Sequence, residues 1–107
     1  MKPMGPIPQA FGCTDGVMTI GGQRVDELVS AAGSTPLFVY DFQLIKRNIT
    51  QLKAAMPPQL AVHFAIKANP LPALVNMIAP LVDGLDVASG GELGVALATG
   101  TKHISFA

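Results

Sequence analysis

From residue 37 onward the chain alternates short apolar runs with amphipathic stretches, and no other feature constrains its fold as strongly. Residues 37–40 read as a strand, followed by Asp41, a residue suited to cap a helix. Ile45, Ile49, Leu52 and Met56 then recur at helical spacing, with Lys46, Arg47 and Lys53 on other faces, until Pro57-Pro58 ends the helix. Residues 61–66 are the next strand. Pro72 is placed to open a second helix, whose apolar stripe is Leu74, Val75, Ile78, Leu81 and Val82; Pro80 kinks or ends it. Residues 85–88 form a third strand. Ser89 with Glu92 fits a capping box, Gly100 fits the end of the helix they begin, and residues 103–106 start a fourth strand. The order β-α-β-α-β-α-β implies parallel strands with helices packed outside. Two closures satisfy it: an open doubly wound sheet, or the opening half of a (β/α)8 barrel, which needs roughly 250 residues when complete.

The first 36 residues have another character. Residues 1–16 are rich in proline and glycine and read as an irregular lead. Residues 17–20 followed by Gly21-Gly22 suggest a strand and turn, and residues 25–32 a short helix closed by Gly33. The expected organisation is a lead over 1–34 and an α/β domain over 35–107.

Composition excludes several functions. Seven basic and seven acidic side chains cancel, and no Lys/Arg cluster offers a nucleic-acid surface. The single cysteine, Cys13, has no partner for an internal disulfide and no histidine nearby in sequence, so it reads as an incidental thiol. There is no stretch of signal-peptide character, and the longest greasy segment, 71–82, is interrupted by Pro72, Asn76 and Pro80. A cytoplasmic protein without membrane or nucleic-acid partners is expected.

Two residues break the apolar pattern. Lys67 ends the second strand; by alternation it shares a face with His63 and Ala65, while Val62, Phe64 and Ile66 face the helices. In a barrel that places Lys67 inward at the carboxyl end of a strand, where barrel active sites sit. A lysine desolvated there has its amine freed for Schiff-base chemistry; a lysine that simply reaches water is the plainer reading. Asp86 interrupts the third strand, and either lies beside the lysine or bonds backbone at the strand end. Glu92 is explained by its capping box, with a site role as the alternative. Gly90-Gly91, at a helix start, suits an anion only weakly. His63 and His103 lack metal-ligand spacing and an acidic partner set, and both read as structural.

The segment Phe64-Ala65-Ile66-Lys67-Ala68-Asn69 resembles the cofactor-lysine motif of the fold-type III pyridoxal-phosphate-dependent decarboxylases, the diaminopimelate/ornithine/arginine decarboxylase family. Gly84-Leu85-Asp86-Val87-Ala88-Ser89-Gly90-Gly91-Glu92-Leu93 is similar to a second block of that family. Thr35-Pro36-Leu37-Phe38-Val39-Tyr40-Asp41 is similar to the segment entering its barrel, and Ile104-Ser105-Phe106 to its fourth strand. The lead is similar to an exosortase-associated bacterial subgroup. The resemblance implies a (β/α)8 barrel followed by a β-barrel domain, a homodimer, and decarboxylation of a small amino acid. It also implies pyridoxal 5'-phosphate held as a Schiff base by Lys67, with Asp86 and Glu92 as supporting residues.

Alanine racemases share the fold and a similar lysine motif. They usually continue with Tyr-Gly where this chain has Pro70-Leu71-Pro72, and they lack the Ser-Gly-Gly-Glu block. An amino-acid racemase and a non-catalytic cofactor- or partner-binding module are the alternative functions. The expectation is a truncated reading frame, cut after about strand 4 and inactive alone. The lead would then pack on the β-barrel domain, and the ring-stacking histidine, phosphate cradle and partner of the ring nitrogen would lie beyond residue 107.

Overall fold

A computed structural model describes residues 5–107; the first four residues of the expected lead lie outside the described residues. The chain divides into two compact units, Met1–Leu44 and Ile45–Ala107.

The first unit contains a small antiparallel meander: the strand and turn expected over 17–22 are present, and a further strand lies within 1–16, where an irregular lead was expected. Strands β1 (Gly12–Thr14), β2 (Val17–Ile20) and β3 (Gln23–Arg24) pair in that order. Their turns are Asp15-Gly16 and Gly21-Gly22, all four with positive φ: 51° and 76°, then 60° and 77°. Two successive left-handed residues make the tight turn whose twist matches paired strands, and Asp-Gly and Gly-Gly adopt it at low cost. Helix α1 (Val25–Ala32) follows and ends on Gly33 at φ 93°, as expected from its position. Residues 37–40 do not form the expected strand. Among the described residues they pair with neither sheet, and Phe38 is 85% exposed. Apolar composition alone does not make a strand when no partner edge takes up the backbone groups.

Helix α2 (Phe42–Ala55) starts as expected: the Asp41 carboxylate accepts from the Gln43 N–H at 2.9 Å.

In the second unit β4 (His63–Ala65), β5 (Gly84–Val87) and β6 (Ile104–Phe106) form a parallel sheet in sequential order. The connections carry α3 (Pro72–Ile78), opened by Pro72, and α4 (Gly90–Ala98). Pro80 falls in a single 3-10 turn that finishes α3, consistent with its missing N–H. Ile66, Val75, Ala79, Leu85, Val87 and Ala96 form the core, with Phe64, Val82, Leu93, Val95 and Ile104 packed around it. This is a mixed α/β unit with three parallel strands rather than the four expected.

One boundary matters for the site. The strand expected over 61–66 is only three residues long, and Ile66–Ala68 turn into a 3-10 helix closed by the Asn69 N–H on the Ile66 carbonyl. Alternation therefore stops at Ala65. Ile66 is fully buried, while Lys67 is turned out of the sheet and exposed.

Candidate active site

The carboxyl ends of β4 and β5 converge with the start of α4 on a recess of about 80 Å³ lined by Ala65, Lys67, Asp86, Val87, Ala88, Glu92 and Ala107. All three residues singled out from the sequence thus meet at one place. Each arrives by a different local device. Lys67 is presented by the 3-10 turn after β4. Asp86 faces away from the core because its strand neighbours Leu85 and Val87, 0% and 1% exposed, take the buried face. Glu92 is set by the α4 cap.

That cap is more extended than the sequence implied. The Glu92 N–H donates to Ser89 Oγ at 3.1 Å, and Ser89 Oγ lies 3.4 Å from Glu92 Oε2. Glu92 Oε1 accepts from the Ala88 N–H at 3.2 Å, one residue before the position a capping box uses. The glutamate is therefore both cap and recess wall. It also corrects the reading of Gly90-Gly91 as an anion cradle, because a carboxylate already occupies that helix start and would repel a phosphate.

Lys67 is exposed rather than desolvated, which agrees with the plainer reading of a lysine that reaches water and not with burial of its amine. Asp86 shares the recess with Lys67, as one of the two expectations had it, but among the described residues its side chain bonds neither the lysine nor backbone. Its bond is to His63, Nδ1 to Oδ1 at 2.9 Å. His63 thus has the acidic partner that sequence spacing denied it. The partner is invisible in the sequence because it lies 23 residues away and meets His63 only through the parallel register of β4 on β5.

Sequence reasoning also missed Asp83. Its Oδ2 accepts from the Val62 N–H at 2.7 Å, and Oδ1 lies 3.6 Å from Lys53 Nζ. The Val62 hydrogen bond, with Lys53 behind it, holds the Asp83 carboxyl below the usual carboxylate range. Asp83, Lys53, His63 and His103 border a larger recess of about 430 Å³. It lies at the amino ends of the strands, the end that serves stability rather than chemistry in parallel α/β barrels. The smaller recess, with its amine and paired carboxylates, is the better chemical candidate.

The donor set there fits one end of an aldehyde cofactor. A primary amine is available to hold the aldehyde carbon, and two carboxylates stand on the same mouth. No cation other than Lys67 lines it, and its volume is well below the roughly 300–1,000 Å³ of ordinary ligand pockets. The residues present suit the reactive end of such a group, not its phosphate.

Residues 42–107 match the family described as pyridoxal-dependent decarboxylase, pyridoxal binding domain. The chain belongs to the pyridoxal-dependent decarboxylases. The cofactor of this family is pyridoxal phosphate. Its relatives include the diaminopimelate decarboxylase of Aquifex aeolicus, 40% identical over 86 residues that make up 80% of this chain and 20% of the relative. The diaminopimelate decarboxylase of Archaeoglobus fulgidus is 38% identical over 92 residues, 86% of this chain and 22% of the relative. A crystal structure of AQ1208 from Aquifex aeolicus superposes with a TM-score of 0.84 at 34% identity, over 92% of this chain and 25% of that one. The chain spans about a fifth of the length of the curated relatives it matches.

Proposed function

We propose that this chain is the cofactor-lysine portion of an amino-acid decarboxylase of the diaminopimelate decarboxylase type, with Lys67 as the residue that holds pyridoxal phosphate. The observation that carries the reading is the convergence of Lys67, Asp86 and Glu92 on one recess at the carboxyl ends of parallel strands. The sequential parallel order β4-β5-β6 is consistent with the opening of a (β/α)8 barrel.

When bound, pyridoxal phosphate supplies the electron sink that takes up the pair left behind as the substrate carboxylate departs as CO2. The residues of this chain have narrower tasks. The Lys67 amine anchors the reactive carbon at the strand ends. The Asp86 and Glu92 carboxylates line the same recess as that amine. Glu92 has little freedom to move, because the Ala88 N–H and Ser89 hold it.

Diaminopimelate is the substrate proposed, since the relatives above are named for it. A cytoplasmic homodimer is the proposed setting. Incubation of the protein and cofactor with carboxyl-labelled meso-diaminopimelate, ornithine, arginine and alanine tests the reaction. Labelled CO2 from one of them is expected from the whole decarboxylase of which this chain is the proposed portion, and none from this chain by itself. Inversion at the α-carbon without CO2 would make the protein a racemase. Cofactor uptake with neither product would make it a binding module.

A further inference from the structure

We infer that His63 is a positioning residue for the cofactor recess: through Nδ1 it fixes the Asp86 carboxylate beside Lys67, and Gly84 is the slot that lets its ring do so. The inference rests on the cofactor role proposed for Lys67.

In the parallel register His63 stands opposite Gly84, and Ala65 opposite Asp86. To meet Asp86, the His63 ring must therefore lean along β5 across the position of Gly84. It does: a Cβ placed on Gly84 would stand 2.6 Å from His63 Cε1 and 2.7 Å from Nε2, and also 2.9 Å from the His103 carbonyl oxygen. Gly84 is not among the residues of positive φ, so its backbone makes no demand for glycine. The demand comes from the ring above it. With no side chain at 84, the ring lies against the sheet and Nδ1 comes within 2.9 Å of Asp86 Oδ1.

The consequence is directional. Asp86 has a short side chain on the recess face of the sheet, and among the described residues it has no other hydrogen-bond partner. The imidazole holds one oxygen and leaves Oδ2 for the recess that Lys67 shares. Loss of that hydrogen bond frees the carboxylate to rotate toward water. His63 itself does not line the recess; it acts through Asp86.

Two readouts test this, one of them independent of the cofactor. Nitrogen-15 spectra of the full chain in alkaline buffer report the tautomer of its two histidines, with His103→Gln assigning the pair. The neutral His63 ring is expected as the Nδ1–H tautomer in the wild type, and that preference is expected to be lost in Asp86→Ala and in Gly84→Ala. The second readout is the dissociation constant for pyridoxal phosphate. His63→Leu is expected to weaken it roughly tenfold, the scale of losing one hydrogen bond in a partly exposed pair. His63→Asn, which keeps a donor near the Nδ1 position, is expected to recover most of that loss. An Nε2–H tautomer in the wild type would overturn the inference. So would a His63→Leu affinity equal to the wild type, or a His63→Asn no better than His63→Leu. If wild-type protein takes up no cofactor at Lys67, the functional reading fails while the tautomer still decides whether His63 holds Asp86.

Discussion

At Lys67 the backbone leaves the sheet, and that one change separates a buried isoleucine from an exposed amine. The residue type was legible as an anomaly in an apolar run; its exposure was not, because alternation assumes a strand that here stops at Ala65. Asp86 and His63 show the complementary limit. Each was visible, but their 2.9 Å bond depends on register, which no local pattern encodes. Asp83 gives a pH prediction at this scale. Its folded carboxyl titrates below the usual range, chiefly because the Val62 N–H donates to it. The stabilisation is therefore fully present above the ordinary carboxylate value and is lost as pH falls through the lower, folded value. In Asp83→Asn the amide oxygen still accepts from Val62 but carries no charge. Thermal melts from neutral to acid pH are expected to show the variant less stable at neutral pH, with the gap closing on acidification. A gap that widens with acid would refute this account of Asp83.

Among the elements, helices were the more legible. α1, α2, α3 and α4 begin and end near their sequence signals: Gly33, Asp41, Pro72, and Ser89 with Glu92. These signals are local, each a side chain or backbone torsion meeting the helix end within a few residues. Strands fared less well. Residues 37–40 have the composition of a strand and no partner, whereas Gly12–Thr14 have a partner and little strand character. The available clue to the latter was Asp15-Gly16, a dipeptide that favours the tight turn on its own. This turn carries a prediction. Gly16 sits at φ 76°, with nothing near the space a side chain would fill, so Gly16→Ala meets only backbone strain. Its cost is expected to be about 1 kcal/mol, read as a lower melting temperature of the meander signal. An unchanged or raised melting temperature would mean the turn is not left-handed.

Across the whole chain, what was legible was the kind of unit, parallel strands alternating with helices, and the family. The partner faces were not, because they depend on what else is present. Among the described residues β4 and β6 each pair on one side only, and Phe106 and Leu97 are 65% and 62% exposed. Open strand edges with apolar side chains favour self-association. Sedimentation velocity is expected to show association of this chain that grows with concentration and is reduced in Phe106→Lys; a concentration-independent monomer in the wild type would contradict that. The central claim concerns a single bond at Lys67, and it is tested most directly by borohydride trapping of protein incubated with pyridoxal phosphate, followed by peptide mapping beside a Lys67→Ala control. The account predicts reduced cofactor on the peptide containing Lys67 and none at that site in the control. Label spread over Lys46, Lys53 and Lys102, undiminished in the Lys67→Ala control, would contradict it.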